Sequence, residues 1–198
     1  MADYVIKNHL DGADIDYEDS GSFVHGTGEE WLIKFTKQLR KRLPDRLITH
    51  APQAPYFEES TYKNGAYMTI HREVGDLIDF YNVQFYNQGL KRTYDSYYSL
   101  FVSTDPYQTK GSSVREIINR GIPAEKIVVG KPATKRNVMN SGYMDPTALG
   151  KAILLANQRL SWHTGVMFWE YWSDQNGTLL GQSIDALDVA CKSSGSCS

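Results

Sequence analysis

Four acids fall within eight residues: Asp11, Asp14, Asp16 and Glu18, interleaved with Ala13, Ile15 and Tyr17. On an extended strand alternate side chains share a face, so Asp14, Asp16 and Glu18 point one way and Ala13, Ile15 and Tyr17 the other. At roughly 3.3 Å per residue the attachment points of neighbouring acids lie about 7 Å apart. Carboxylates so placed repel each other, and such a row persists where a proton is shared or a cation is bound. The spacing does not fit an EF-hand loop, which needs Gly at its sixth position and Glu at its twelfth. His9, His25, His50, His71 and His163 show no metal-ligand spacing and read as incidental. No metal or other cofactor is therefore expected. No G-x-S-x-G or comparable signature supports a serine nucleophile.

A second stretch, Phe80–Asn87, alternates strictly. Asn82, Gln84 and Tyr86 share one face, and Tyr81, Val83 and Phe85 the other, so a buried strand would present one polar, lined side. The elements that must carry these groups follow from periodicity. Val5–Tyr17 contains the acidic strand, entered through Asp11-Gly12, and Asp19–Gly28 reads as a loop of Ser, Gly and Thr. Thr27 with Glu30 forms a capping-box pattern that opens a helix through Leu43, with Leu32, Phe35, Leu39 and Leu43 at helical spacing. The basic run Lys37–Arg42 reads as its solvated face. Leu47–Ala51 is a strand, Gly65–Leu77 a weaker helical stretch and Val114–Arg120 a short helix. Ile127–Gly130 is a strand ending at Lys131-Pro132. Asp145-Pro146 starts a helix to about Leu160, since Asp caps and Pro fits the first helical position. Val166–Trp169 is a fifth strand, with Met167 and Trp169 on one face, and Ser183–Ala190 is a closing helix.

Strand followed by helix, five times over, predicts a parallel sheet with helices outside it, an α/β fold. No G-x-G-x-x-G or P-loop follows the first strand, as an open doubly wound sheet would usually show. A βα-barrel places its chemistry at strand C-termini. Glu18, Gln84, Tyr86 and Trp169 all fall there, which favours the barrel.

With 198 residues the chain suits one sizeable core. A net charge of −2 offers no electrostatic reason to expect nucleic acid or an anionic membrane as partner. No apolar run approaches the ~20 residues that cross a bilayer. The 13 Tyr, 4 Trp and 7 Phe suit stacking on sugar C–H faces, although core packing uses the same rings. Cys191 and Cys197 sit near the C-terminus, six residues apart, and either pair or stay as two thiols. Asn176-Gly177-Thr178 matches an N-glycosylation acceptor and is equally a turn signal.

Asp11-x-x-Asp14-x-Asp16-x-Glu18 resembles the D-x-x-D-x-D-x-E signature of family 18 glycoside hydrolases, the chitinases and endo-β-N-acetylglucosaminidases. Gln84-Phe85-Tyr86-Asn87 is similar to the Q-F-Y-N of hevamine-like plant and fungal class III chitinases. Val129–Ala133 resembles their seventh strand, and Gly165–Trp169 followed by Asp174 their eighth. The resemblance implies a (β/α)8 TIM-barrel type that retains configuration by a substrate-assisted route, an exception to the two-carboxylate scheme. It assigns Glu18 as general acid, Asp16 as the group orienting the substrate acetamido, Asp14 as sharing a proton with Asp16, and Tyr86 as a hydrogen-bond partner of the acetamido oxygen. Trp169 would floor the sugar site, with Gln84, Asn87, Gln53 and Met167 as further contacts. Tyr86 or Trp169 alone would read as core, and the joint placement with Glu18 reverses that reading. Asp11 reads as structural, at the strand entrance. The partners implied are chitin or N-acetylglucosamine oligosaccharides. A non-hydrolytic, lectin-like sugar-binding protein and an endo-β-N-acetylglucosaminidase acting on N-glycan cores are the alternatives, and the presence of Glu18 favours an enzyme.

In that family the acidic motif lies on the fourth strand, with roughly a hundred residues before it, and a closed barrel needs ~250 residues. Here the motif starts at residue 11. About five C-terminal βα units are therefore expected, an incomplete barrel over residues 1–190 with a Ser/Gly-rich tail at 191–198. Five strands do not close, so the chain is expected to be a fragment or truncated product, or half of an assembly completed by another chain. Two open parallel edges would also give it a route to self-association. Secretion is expected from the family, while Met1-Ala2-Asp3-Tyr4 lacks the basic-then-apolar signal pattern.

Overall fold

The computed structural model describes residues 1–104, 111–174 and 176–194. Its contacts divide into two compact units, Met1–Val83 and Gln84–Ser198.

In the first unit α1 (Ala2–Lys7) precedes β1 (Gly12–Ile15). A helix thus occupies the segment before the strand, which is entered through Asp11-Gly12 as expected. Ala2 and Val5 are three apart and both buried, and Asp3 in the first turn and Lys7 in the last complement the helix dipole. The strand itself starts at Gly12, where a Cβ would lie 2.1 Å from the Leu47 carbonyl oxygen, so only glycine allows that close pairing. The expected loop at Asp19–Gly28 contains a further helix, α2 (Ser20–His25). Asp19 Oδ1 accepts from Ser22 N at 3.0 Å, and Phe23, fully buried, packs 4.8 Å from Tyr56 and 5.5 Å from Tyr17 between ring centroids. One cap and one aromatic anchor outweigh the poor helix propensity of a Ser/Gly segment.

Helix α3 (Gly28–Arg42) buries Leu32 and Leu39 as its spacing predicts, with Leu43 buried at its end. The capping box does not form: Glu30 turns to Lys34 at 2.5 Å, and Thr27 Oγ1 donates to Ser22 O at 3.3 Å. Within the basic run Lys37 and Lys41 are exposed, but Arg40 is not a solvated side chain. It donates to the carbonyls of Arg46 at 2.6 Å and Leu77 at 2.9 Å and pairs with Asp79 at 2.7 Å. Strand β2 (Leu47–His50), helix α4 (Ala66–Val74) and strand β3 (Phe80–Gln84) follow. The strands run parallel in the order β1-β2-β3, with Asp14 opposite Thr49.

Gln84, the last residue of β3, opens the second unit. Phe85 N donates to Gly130 O at 3.2 Å, joining this end to β4 (Ile127–Pro132), and β4 pairs parallel with β5 (Val166–Trp169). Between lies α5 (Val114–Asn119), where Ser113 N donates to the Glu116 carboxylate at 3.1 Å. Helix α6 (Pro146–Leu160) starts as predicted, with Asp145 Oδ1 accepting from Thr147 N at 3.0 Å. Helix α7 (Thr178–Ser194) packs on α6 and carries Cys191 in its backbone, while Cys197 lies outside the described residues. Asn176 and Gly177 both have positive φ, so the glycosylation-like tripeptide forms a turn before α7. Trp162 is fully buried against Phe101, and its indole N–H donates to Ile127 O at 2.8 Å. In both units consecutive strands are neighbours, as in a barrel, whereas a doubly wound sheet reverses its order at a switch point.

Candidate active site

The acid row occupies the end of β1 and the extended segment beyond it. Residues 14–18 alternate as the pattern predicts: Asp14, Asp16 and Glu18 are exposed, Ile15 is buried and Tyr17 half-buried. Tyr17 is held by stacking on Trp31 at 5.5 Å and by a 2.8 Å hydrogen bond between its hydroxyl and Ser22 Oγ. That ring anchors the segment between Asp16 and Glu18.

Three strands converge on Asp14. Thr49 Oγ1 on β2 donates to Asp14 Oδ1, and Asn82 Nδ2 on β3 donates to the same oxygen at 3.1 Å. Two donors on one oxygen hold the carboxylate in one orientation. Gln53 Nε2 approaches Glu18 Oε1 at 3.5 Å. Four of the expected site residues, Asp14, Asp16, Glu18 and Gln53, thus belong to the first unit.

The row rests on a buried layer that the sequence reading did not single out. The Tyr56 hydroxyl meets Ser20 Oγ at 2.6 Å; burial raises its pKa, and the negative charges of Glu18, Asp16 and Asp19 add to the rise. Tyr67 is fully buried, and its hydroxyl is pushed well up by burial first, then by Tyr81, Tyr56, Asp14 and Asp16. Its OH lies 3.1 Å from His50 Nδ1, while His50 Nε2 lies 3.3 Å from Thr36 Oγ1. Thr36 spends its only proton on Leu32 O at 2.8 Å, so it accepts from His50 Nε2–H. His50 Nδ1 therefore accepts from Tyr67. Burial drives the His50 pKa down to about 4, which keeps this neutral tautomer in place. His50 is a structural hydrogen-bonding residue rather than an incidental one. His71 is another, with Nδ1 2.8 Å from the Tyr81 hydroxyl. Residues with two buried donors or acceptors carry no sequence signature, because their partners are set by packing.

The other five expected residues, Gln84, Tyr86, Asn87, Met167 and Trp169, belong to the second unit. Gln84 and Tyr86 are buried, Met167 is half-buried, and Trp169 is 49% exposed at the end of β5. Tyr86 is held through its backbone. Gly142, at φ 100°, lies so close that a Cβ there would sit 2.4 Å from Tyr86 Cα. Asn87, with φ 57°, turns the chain sharply: its N–H donates to Ser141 O at 2.9 Å, and its Oδ1 accepts from Met139 N at 2.8 Å. Asn87 Oδ1 is thus engaged in fixing the loop beside Tyr86. Beyond β5, Trp172 is 88% exposed on a surface cleft of about 560 Å³ lined also by Thr134, Lys135, Arg136 and Ser173. Among the described residues no group of three His, Cys, Asp or Glu side chains could hold a metal ion, and no helix is long and apolar enough to cross a membrane.

A family model described as "Glycosyl hydrolases family 18" matches residues 1–182. The chain belongs to glycosyl hydrolase family 18. Among solved structures it is similar to a GH18 chitinase from Pseudoalteromonas aurantia, at 35% identity and a TM-score of 0.75, over 94% of this chain and 64% of that one. A fungal endo-β-N-acetylglucosaminidase of glycosyl hydrolase family 18 matches at 25% identity and a TM-score of 0.63, over 96% of this chain and 59% of that one. A class V chitinase from Nicotiana tobaccum, solved as a mutant in complex with NAG4, shares the fold at 16% identity and a TM-score of 0.65, over 93% of this chain and 70% of that one. The chain therefore spans less than two thirds of the length of the first two. Its five parallel strands with attendant helices make an incomplete TIM-barrel type, the fold class expected from the order of elements.

Proposed function

We propose that this family 18 chain is a chitinase-type glycosidase, hydrolysing β-1,4-linked N-acetylglucosamine by a retaining, substrate-assisted route. The observation that carries the reading is the acid row itself, exposed on alternate residues with Asp14 oriented by donors from two neighbouring strands. Glu18 gives its proton to the glycosidic oxygen, and the leaving sugar departs as an alcohol. The oxygen of the substrate's own 2-acetamido group attacks the anomeric carbon and forms an oxazolinium ion. The Glu18 carboxylate then takes a proton from water, whose oxygen opens that ion and restores both the acetamido group and the acid. Asp16 orients the acetamido N–H and shares a proton with Asp14, which Thr49 and Asn82 hold still. Tyr86 hydrogen-bonds the acetamido oxygen, and Trp169 floors the sugar site. Gln84, Asn87, Gln53 and Met167 complete the contacts. Chito-oligosaccharides are the expected ligands, and a secreted location suits a polymer substrate.

The test is turnover of a fluorogenic chito-oligosaccharide. Loss of a general acid costs about 10²–10⁴-fold, so Glu18→Gln should lower kcat by that factor with an unchanged circular dichroism spectrum. Equal activity in the variant would overturn the mechanism. Tight oligosaccharide binding without turnover would point to a lectin-like protein, and cleavage of N-glycan cores in preference to chitin would move the substrate to the endo-β-N-acetylglucosaminidase class.

A further inference from the structure

Lys131, on β4, is 1% exposed, and its Nζ donates to Phe85 O at 3.0 Å and to Tyr94 O at 2.7 Å. Burying an ammonium ion is costly unless its hydrogen bonds are met, and an apolar side chain would fill the same space without that cost. Burial drives its pKa down to about 7, against the opposing pull of the Asp95 carboxylate. The two carbonyls that it binds are what offsets that cost.

Both carbonyls stand where the chain leaves regular structure. β3 ends at Gln84, so buried backbone oxygens beyond it lack ladder partners and need another donor. Phe85 O belongs to the planar peptide unit that carries Tyr86 N, and holding that oxygen fixes the plane from which Tyr86 Cα extends. Tyr94 is itself anchored: its ring meets Phe85 edge-on at 5.3 Å and its hydroxyl meets Ser112 Oγ at 2.7 Å. The ammonium thus ties the exit of β3 to a fixed point on the returning loop. Gly142 and Ser141 O close on Tyr86 and Asn87 as described above.

We propose that Lys131 is the positioning residue for Tyr86: by clamping the Phe85 and Tyr94 carbonyls it sets the backbone from which Tyr86 meets the substrate acetamido group. The role assigned to Tyr86 comes from the proposed function, whereas the clamp is testable without it.

Two measurements keep these apart. In the unliganded chain, hydrogen exchange of the Asn87 amide should quicken about tenfold or more in Lys131→Met, which fills the space without donors, while the Ala51 amide in the first unit keeps its rate. Lys131→Gln, which retains two N–H donors, should restore part of the protection. In chito-oligosaccharide turnover, Tyr86→Phe and Lys131→Met should each lower kcat about tenfold, and the double variant should fall no further than the worse single, because residues acting through one contact are not additive. Unchanged Asn87 exchange in a folded Lys131→Met or Lys131→Leu chain, or exchange in Lys131→Gln as fast as in Lys131→Met, would overturn the clamp. Multiplying effects in the double variant would overturn its link to Tyr86. A wild-type chain with neither turnover nor sugar binding would remove the function assigned to Tyr86, while the exchange result still decides whether Lys131 positions it.

Discussion

The two units solve the same problem, holding polar groups at strand ends, with opposite placements of charge. In the first unit the charges are exposed, as Asp14, Asp16 and Glu18, and the layer beneath them is neutral: Tyr56, Tyr67, His50 and Thr36 pair by hydrogen bonds. In the second unit Tyr86 is buried, and the base bonded to the carbonyl just before it is the buried Lys131. Under the proposed mechanism Asp16 and Glu18 exchange protons with substrate and water, so they must stay hydrated above their support. Under the same proposal Tyr86 only donates a hydrogen bond and needs position, which the Lys131 amine supplies through its bonds to two backbone oxygens.

The contrast can be broken at its tightest point first. Gly142→Ala places a methyl group 2.4 Å from Tyr86 Cα at a φ of 100°. Overpacking and left-handed strain together should cost about 3 kcal/mol of stability, read by denaturant unfolding, with loss of turnover beyond that explained by unfolding. A stability change under about 0.5 kcal/mol would show that the Tyr86 backbone is free to move there.

The two buried bases should respond to pH on opposite sides of neutrality. His50 titrates near 4 in the fold and near 6.5 when unfolded, so the unfolded chain binds the extra proton between those values. Stability should fall as pH drops through that window, by on the order of 3 kcal/mol, and His50→Gln should flatten the slope. Lys131 titrates near 7 in the fold against 10.5 unfolded, so stability should rise from about pH 7 towards 10.5, and Lys131→Met should remove that rise. Thermal unfolding across pH 4–10 reads both. An acid slope that persists in His50→Gln would place the titrating group elsewhere.

The smallest change is expected from Thr49→Val, which deletes one of the two donors to Asp14. Asp14 is exposed and keeps Asn82, so stability should drop by only about 1 kcal/mol. Turnover should fall about tenfold if the orientation of Asp14 matters, as one charge-assisted bond allows. Unchanged turnover would leave Asp14 oriented by Asn82 alone.

Some of this was legible in local pattern. The period-two alternation through Asp14–Glu18, the Asp145-Pro146 start of α6 and the strand Val166–Trp169 each depend on neighbours within a few residues, and each stands as read. Two helices were missed for related reasons. α1 is only six residues long, too short to show a period, and α2 lacks helix formers and exists because Phe23 finds a ring-lined cavity. The capping box at Thr27 failed because Lys34, one helical turn beyond Glu30, competes for the same carboxylate.

The sequence by itself determined which carboxylates share a face, because side chains alternate along one strand. Tertiary structure alone decided how those groups are held. The Asp14 donors come from 35 and 68 residues away, Lys131 reaches a carbonyl 46 residues distant, and the His50 tautomer depends on which proton Thr36 has already spent. Periodicity is a local property of the chain, whereas the satisfaction of a buried donor or acceptor is a property of whatever the fold packs against it.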